Sequence, residues 1–393
     1  MAEFDLRFSS TPQTDTGTFK LLELPPDLCK LIEGSLEDPS RRSFTIKGAS
    51  EEDAVLCTAD KTYTVRSVVL SNSVLVVTRD PADADADDVD APVEDIVIRD
   101  QLSEVIELVP SVPRLHRLNA HLRGREYDEG HEDEDMISDD EDGNPRKRPR
   151  FTYEDARMTI QASDAELDKG LRDRRVLILK GELRPIAPSY LTTILEYLLN
   201  SLVSESLSHA NASVTTLLRA LEDHDVPRDV TRQVMAWFGR MQGSGGSETW
   251  EMDVDAVVRE IGLGILRSHR DDPVPEEEFI TRWQNAVGDT FAERATLPLL
   301  SGNYLTSTST SALTSPPVPL LTYFPSSALP NDPAARFAEL FLARPRWQAD
   351  EIAPFLADVA VDAKERDRLL LKHARAITDP EGIWYTARAK YNA

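Results

Sequence analysis

Short apolar runs dominate the chain between residues 19 and 109 and predict β-strands. Acidic residues, prolines and turn-forming residues interrupt these runs, which is typical of strands rather than of long helices. The segments predicted as strands are Phe19–Leu24, Phe44–Ile46, Ala54–Cys57, Tyr63–Leu70, Val74–Val77, Asp95–Arg99 and Val105–Val109. A turn is expected at Ser71–Ser73, between two of the strands. A short helix is expected where Leu28, Leu31 and Ile32 share one helical face.

This predicted sheet is small and interrupted, so its edges are expected to need covering. Open strand edges expose unpaired backbone groups, and the strands of another protein can pair with them. We therefore expect a β-rich half-barrel that a partner completes, although a self-contained barrel is the alternative. The residues predicted to bind the partner are Phe19, Leu21, Leu22, Phe44, Ile46, Val65, Val68 and Leu75.

From residue 151 the apolar positions recur at helical spacing, and one layout repeats. In the first case, helices at Leu191–Leu207 and Ser213–Leu221 precede a third helix after Pro227 and a strand at Thr249–Met252. Ser213 is a possible N-cap residue. The later predicted segments are helices at Asp253–Ser268, Pro275–Val287, Pro333–Ala343, Gln348–Ala357 and Asp362–Ala376, with strands at Pro319–Phe324 and Ile383–Thr386. Three helices followed by a hairpin predict tandem winged-helix domains.

The sequence thus predicts an α+β protein with five parts. Residues 1–125 form the β-rich assembly domain, and residues 126–150 form an acidic and basic linker. Three winged helices then occupy 151–252 (with a helical lead-in), 253–326 and 327–393.

Acidic residues are concentrated in two stretches. The chain has 69 Asp and Glu residues against 44 Lys and Arg residues, a formal net charge of −25. Eighteen of the acids lie in 80–95 and 128–142, which leaves a net charge of −7 on the rest. Because these stretches contain little apolar surface, we interpret them as solvated segments.

The cysteine count and the hydropathy pattern narrow the class of protein. Cys29 and Cys57 both lie in apolar segments, which indicates reduced, buried thiols in an intracellular protein. No apolar run is long enough to span a membrane, and the first residues lack the pattern of a secretory signal. No membrane contact is therefore expected.

A basic cluster at the end of the predicted linker indicates nuclear import. The cluster spans Pro145–Arg150, and its cationic residues are Arg146, Lys147, Arg148 and Arg150. The alternative is a solvated run of charge. We expect a nuclear location.

Sequence motifs of catalysis are missing. The chain has neither a phosphate-binding G-x-x-x-x-G-K-[ST] loop nor a dinucleotide-binding G-x-G-x-x-G loop. It also lacks H-E-x-x-H, Cys/His metal spacing and a G-x-S-x-G nucleophile turn. We therefore expect no enzyme activity and no cofactor.

The last predicted helix carries a row of cations. Lys364, Arg368, Lys372 and Arg375 lie at helical spacing, and winged helices place this third helix against DNA. Cations on one rigid face are suited to contacting phosphates without reading base sequence. Further predicted DNA-binding residues are Arg344, Arg346, Arg388 and Lys390. Glu365 and Asp367 are interleaved with the row, and a solvated helix face is the alternative.

Several segments resemble the defective-in-sister-chromatid-cohesion protein family. They are FKLLELPPDLCKLIE at Phe19–Glu33, FTIKG at Phe44–Gly48, AVLCTADKTY at Ala54–Tyr63, YEDARMTIQASDAEL at Tyr153–Leu167 and RFAELFLARPRWQADEIAPFLADV at Arg336–Val359. The matches follow the expected order along the chain. Their specificity comes from order and combination, because none of these segments is a catalytic motif.

The resemblance implies a non-catalytic subunit of the cohesion-specific alternative clamp loader, a variant replication factor C complex. It implies that the N-terminal half assembles with a small accessory subunit and the large ATPase subunit. It also implies that the winged helices bind single- and double-stranded DNA and DNA polymerase epsilon. The long acidic stretches at 80–95 and 128–142 depart from the family pattern.

Two other classes of function remain open from the sequence. One is a free-standing winged-helix DNA-binding regulator with its own folded N-terminal domain. The other is an acidic histone-binding or chaperone-like protein that acts through 128–142.

Overall fold

The computed structural model describes residues 5–8, 18–34, 44–50, 52–79, 95–130, 137–139, 145–147, 150–308, 317–380 and 382–388. These residues form twelve α-helices and several β-sheets, and none of the sheets they form closes into a barrel. The predicted α+β class is therefore confirmed. The chain divides into two compact units, one of Met1–Pro113 with Gln161–Glu166 and one of Arg114–Ile160 with Leu167–Ala393. The predicted domain limits stay predictions.

The first unit is built on a six-stranded open sheet. Its strands are β1 (Asp5–Phe8), β2 (Leu21–Glu23), β3 (Thr45–Lys47), β4 (Val55–Cys57), β5 (Thr62–Arg79) and β6 (Asp95–Pro110). The order is β1-β6-β5-β4-β3, and β2 also pairs with β6. β1 and β2 run parallel to β6, whereas the other pairs are antiparallel. The predicted short helix is α1 (Pro26–Gly34), which buries Leu28.

The predicted turn at Ser71–Ser73 is wrong. β5 continues through these residues as one strand of 18 residues, and its pairing with β6 shifts register between Val69 and Val74. The serines and Asn72 therefore coincide with a bulge, not with a chain reversal. β6 is likewise one strand where two were predicted, because pairing with β5 gives the polar residues in its middle backbone partners.

A distant segment of six residues completes the first unit. Gln161, Ala162 and Ser163 are each fully buried there. The Gln161 side chain donates a hydrogen bond to the Asp53 carbonyl (2.9 Å), and buried Lys47 donates to the Ala162 carbonyl (2.6 Å). Sequence reasoning had assigned these residues to the C-terminal part. We call Gln161–Glu166 the insert segment below.

The second unit opens with short elements and a hairpin. They are a 3₁₀ turn (Leu115–Arg117), α2 (Leu118–Leu122), β7 (Ile137–Asp139), β8 (Pro145–Lys147), α3 (Tyr153–Thr159), α4 (Asp164–Asp173, whose start belongs to the insert segment), β9 (Val176–Leu179) and β10 (Glu182–Pro185). β9 and β10 pair antiparallel, as do β7 and β8. The β9–β10 hairpin lies in the predicted helical lead-in, where no strand was expected.

Three repeats follow, each with the order helix, strand, helix, helical segment, strand, strand. The first contains α5 (Pro188–Ser204), β11 (Ala212–Ser213), α6 (Val214–Glu222), α7 (Arg228–Trp237), β12 (Gly239–Gln242) and β13 (Thr249–Met252). The second contains α8 (Val254–Arg267), β14 (Val274–Pro275), α9 (Glu276–Val287), 3₁₀ turns (Ala292–Arg294 and Leu297–Leu300), β15 (Tyr304–Thr308) and β16 (Pro319–Tyr323). The third, after a 3₁₀ turn (Ser326–Ala328), contains α10 (Pro333–Ala343), β17 (Arg346–Gln348), α11 (Ala349–Ile352), a 3₁₀ turn (Ala353–Leu356), α12 (Ala363–His373), β18 (Ala374–Asp379) and β19 (Gly382–Ala387).

The strands of each repeat pair in the same way. The sheet orders are β11-β13-β12, β14-β16-β15 and β17-β19-β18, so the strand between the first two helices always pairs with the last strand. The recurrence predicted from apolar spacing is therefore present as a topology, although the third helix of the second repeat is replaced by 3₁₀ turns.

Burial differs between the repeats and the first unit. The first two repeats share one hydrophobic core, which includes Trp250 and Trp283, and the third repeat has its own core around Trp347. The first unit contains a small cluster of Leu28, Tyr63 and Leu108. Burial of apolar area is the main favourable term in folding. The described part of the first unit therefore gains less stabilisation from its core than the second unit does.

Candidate partner and nucleic-acid surfaces

The sheet of the first unit exposes apolar side chains at both of its edges. Ile46 on β3 is 71% exposed, and Phe44, the residue before this strand, is 39% exposed. At the other edge, Leu21 and Leu22 of β2 are each 39% exposed. A soluble protein rarely leaves such residues uncovered on edge strands, because they promote pairing with other chains.

The remaining predicted partner-binding residues lie on the same sheet or next to it. Phe19, Val65 and Val68 are half-buried, and Leu75 on β5 is exposed. The Phe19 amide donates to Asp100 on β6 (3.3 Å). The structure thus places all eight predicted residues on one sheet or directly beside one of its strands.

Sequence reasoning missed several exposed apolar residues of this sheet. Phe8 on β1 and Val69 on β5 are about three-quarters exposed, and Val74, Val77 and Val109 are also exposed. Val69 and Val77 are parts of apolar runs that were predicted as strands without a prediction of which residues are exposed. The alternation of apolar and polar residues along β5 was the available signal, but a bulge at 70–73 changes which face each residue occupies.

A hydrogen-bond group around buried Tyr63 fixes α1 to the sheet. Tyr63, which is 1% exposed, donates its hydroxyl to Asp27 Oδ2 (2.7 Å), and Lys61 also donates to that oxygen (2.9 Å). The hydrogen bond from Tyr63 and that from Lys61 lower the pKa of Asp27. Burial, together with Asp27, raises the pKa of Tyr63 well above its ordinary value. The group anchors the first turn of α1 next to β5.

The predicted row of cations on the last helix is shorter than expected. α12 ends at His373, and Arg375 lies on β18, so only Lys364, Arg368 and Lys372 share the helix. These three side chains are exposed, and none forms an ion pair with a residue in the described part of the chain. Arg375 is also exposed. The helix stops because Ala374 begins the pairing with Ala387 of β19.

Three other predicted DNA-binding residues make contacts inside the third repeat. Arg344 pairs with Glu351 (2.9 Å) and lies over Trp347, whereas Arg346 pairs with Asp379 and stacks on Trp384 (4.1 Å from the ring centre). Arg388 donates to the carbonyls of Ala374 (3.1 Å) and Leu371 (2.5 Å). Their DNA contact stays a prediction, and Lys390 lies outside the described residues.

Cations on the equivalent elements of the other repeats are neutralised. On α7, Arg228 pairs with Glu222 (2.5 Å) and Arg232 pairs with Glu248 (2.5 Å). In the second repeat, Arg294 pairs with Asp255 (3.5 Å). Unpaired cations on the third helical segment therefore distinguish the third repeat from the first two, over the residues described.

The predicted import cluster falls only partly on described residues. Arg146 and Lys147 belong to β8, and Arg148 lies outside the described residues. Arg150 is exposed and lies 3.7 Å from Glu182. Its import role stays a prediction.

The chain shows neither a metal centre nor a membrane helix over the residues described. No group of three or more His, Cys, Asp and Glu side chains there could hold a metal ion. No helix among them is long and apolar enough to cross a membrane. Cys29 and Cys57 are both free thiols, and burial raises the pKa of Cys57.

Comparison with known proteins identifies the class, a chromosome cohesion protein. The family model "Sister chromatid cohesion protein Dcc1" matches residues 19–356, so the chain belongs to the Dcc1 family of sister chromatid cohesion proteins.

Individual relatives match at low identity over almost their full length. Sister chromatid cohesion protein DCC1 of Xenopus laevis is 27% identical over 373 residues, which cover 94% of this chain and 89% of the relative. The Homo sapiens protein of that name is 26% identical and covers 92% of this chain and 86% of its own length. The Saccharomyces cerevisiae protein is 22% identical, with 94% of this chain and 96% of the relative covered. The resemblance found in the sequence segments is therefore confirmed.

Proposed function

We propose that this chain is a non-catalytic nuclear subunit of the cohesion-specific clamp loader. In this proposal the first unit is a half-barrel that a small accessory subunit and the large ATPase subunit complete. The three repeats are winged helices, of which the third binds DNA, and they also contact DNA polymerase epsilon. Membership of a family of sister chromatid cohesion proteins supports the process in which the chain acts.

The observation that carries the assembly role is the open sheet with apolar residues on both edges. Phe44 and Ile46 at one edge, and Leu21 and Leu22 at the other, expose area that is suited to covering by a partner's strands. The hydrophobic cluster of Leu28, Tyr63 and Leu108 is small, which also favours a partner, because added strands would bury more apolar surface.

Exposed cations support DNA contact by the third repeat. Lys364, Arg368 and Lys372 lie on one exposed helix, and nearby carboxylates do not neutralise them within the described structure. Phosphate contacts of this kind do not depend on base sequence. Joining such a weak site to an assembly module raises the local concentration of the loader on DNA without high intrinsic affinity.

The assembly role is tested by co-expression of the full chain with the small accessory subunit and the large ATPase subunit. The substitution Ile46→Asp combined with Leu22→Asp should reduce recovery of both partners, because each carboxylate would have to be buried at a strand edge. Met158→Asp is the matched control, since Met158 is 76% exposed but lies in the second unit. Equal recovery with the edge variant and the control would contradict the assembly role.

The DNA role is tested with the triple substitution of Lys364, Arg368 and Lys372 to Gln. Binding of single- and double-stranded oligonucleotides should weaken. For duplex DNA, the slope of log K against log salt concentration should become shallower by about 0.9 for each lost phosphate contact. Arg228→Gln with Arg232→Gln is the control, because these cations are already paired. An unchanged salt slope in the triple variant would contradict DNA binding by α12.

A further inference from the structure

A cleft of about 970 Å³ opens in the second unit. It lies where α5 and α8 meet the β9–β10 hairpin and the start of the third repeat. Its walls come from 116–126, 173–191, 259–267, 301–303, 323–331 and 354–358. The volume is in the range of pockets that take small ligands or short peptide segments.

Arginines and carboxylates together form the charged part of the cleft wall, with a small excess of arginines. Five arginines line it, namely Arg123, Arg174, Arg175, Arg259 and Arg267, together with four carboxylates, Glu126, Asp173, Glu260 and Asp358. Two of the carboxylates are already engaged. Glu260 is bound by Arg175 (3.2 Å) and Arg267 (2.8 Å), and Asp358 is bound by Arg336.

Two half-buried arginines of the cleft lack a carboxylate within ion-pair distance among the described residues. Arg174 donates to the Gly170 carbonyl (3.2 Å), and Arg259 donates to the Leu299 carbonyl (3.0 Å). Burial lowers the pKa of both guanidinium groups, and nearby carboxylates (Asp173 and Asp358 for Arg174, Glu260 for Arg259) offset only part of that effect. Nη1 of Arg267 is also buried without an acceptor in this part of the chain. A ligand anion would give Arg174 and Arg259 the direct ion-pair partner that they lack among the described residues.

The rest of the lining fits a peptide chain. Leu122, Leu191 and Leu263 give the cleft an apolar floor. Asn119, Asn331 and Ser327 are exposed on its wall. Amide and hydroxyl side chains both donate and accept hydrogen bonds, as the backbone of an extended peptide requires.

The same features argue against a nucleic-acid backbone as the occupant. Regularly spaced phosphates need cations on an exposed face, which α12 supplies, whereas Arg174 and Arg259 in this cleft are half-buried.

We propose that this cleft binds a short acidic peptide of a partner protein, with a carboxylate or phosphate group of the peptide held between Arg174 and Arg259. Apolar residues that flank the acidic group contact the leucines of the floor. The site is distinct from the strand edges of the first unit and from the cations of α12.

The test uses the full chain and fluorescence anisotropy of two labelled peptides. Both carry an acidic centre flanked by leucines, one with glutamate and the other with phosphoserine, and control peptides carry glutamine and serine instead. Both acidic peptides, or the phosphorylated one alone, should bind saturably while the controls do not. Arg174→Gln with Arg259→Gln should weaken this binding ~10-fold or more, which is about 1.4 kcal/mol.

A second variant separates loss of the site from loss of folding. Arg123→Gln changes an exposed residue of the cleft wall and should weaken binding by a smaller factor, with an unchanged melting temperature. The triple Gln variant of α12 should bind the peptides as the unchanged chain does. Absence of charge-dependent binding, or binding that survives the Arg174 and Arg259 substitutions in a folded variant, would overturn the proposal. Competition by an oligonucleotide that depends on the same two arginines would assign the cleft to nucleic acid instead.

Discussion

At the scale of single residues, the third repeat depends on one fully buried arginine. Arg336 donates to the carbonyls of Pro330 (2.7 Å) and Phe355 (2.8 Å) and to both carboxylate oxygens of Asp358. A planar guanidinium can satisfy several acceptors at once, which a lysine cannot do. The side chain therefore joins α10, the loop before it and the 3₁₀ turn after α11.

Replacing Arg336 by Met should lower the free energy of unfolding of the third repeat by about 3 kcal/mol, because buried carbonyls and Asp358 lose their partner. Asp358 is half-exposed, which places the loss at the lower end of the range for buried pairs. Urea denaturation followed by circular dichroism measures the loss. Arg366→Met is the control, since among the described residues Arg366 pairs only with its exposed neighbour Asp367. An equal loss in both variants would contradict this account.

Glu260 is a second residue whose ionisation stabilises the fold. Burial alone would raise its pKa, but Arg175 and Arg267 outweigh burial and hold the pKa below the ordinary value of 4.5. Because the folded-state pKa is depressed, this contribution is present above pH 4.5 and is lost as the pH falls through the folded-state value.

The substitution Glu260→Gln should therefore destabilise the protein at neutral pH, and the difference from the unchanged chain should shrink as the pH falls below 4.5. Urea unfolding at several pH values measures it. Glu196→Gln, on an exposed position of α5, should show a difference near zero throughout. A Glu260 difference that grows toward acid pH would refute the sign of the shift.

At the scale of elements, the second repeat is held together by close approach of α8 and α9. Gly262 on α8 leaves room for Trp283 of α9, which is fully buried and donates its indole N–H to the Val258 carbonyl (2.8 Å). A Cβ atom at position 262 would lie 2.4 Å from Trp283 Cε2. The absence of a side chain at this one helical position decides the distance between the two helices.

Gly262→Ala should destabilise the second unit by about 1–3 kcal/mol, because overpacking at the Trp283 ring outweighs the higher helix propensity of alanine. Gly34→Ala is the control, since a Cβ atom there meets nothing within 4 Å. Thermal unfolding with tryptophan fluorescence compares them. A stabilising effect of Gly262→Ala would show that the helices separate at little cost.

At the scale of the whole molecule, the first unit is discontinuous in sequence. The insert segment contributes buried residues and Glu166, whose carboxylate accepts hydrogen bonds from Thr62 (2.5 Å) and Ser163 (2.8 Å). The fold of the N-terminal sheet therefore requires residues that follow it by about a hundred positions. An N-terminal fragment that ends before Gln161 lacks this part of its core.

Gln161→Ala in the full chain should loosen the first unit and leave the second unchanged, because the Asp53 carbonyl would lose a buried donor. Hydrogen exchange measured by mass spectrometry should show faster exchange in β3 and β4 but not in α5 or α8. Gln233→Ala is the control, because the Gln233 side chain forms hydrogen bonds with the backbone of Ile178 in the second unit. Uniform acceleration over both units would contradict a local role.

Local patterns predicted much of the second unit because helix formation depends on near neighbours in sequence. Ser213 is the N-cap of α6, as expected, and α10 has its predicted limits of Pro333–Ala343. The α12 cations were only partly predictable. Lys364, Arg368 and Lys372 follow from spacing, whereas the place of Arg375 on β18 depends on strand pairing.

Local sequence patterns were sufficient to predict the α+β class, the recurring order of helices and strands, the apolar residues of the edge strands and the family. Each depends on local periodicity or on strings of adjacent residues. Three features emerge only in the folded chain: the continuity of β5, the burial of Gln161 in the N-terminal sheet, and the presence of Arg174 and Arg259 in one cleft. Those features bring together residues that are far apart along the chain, and their energies come from pairing and packing that no local pattern records.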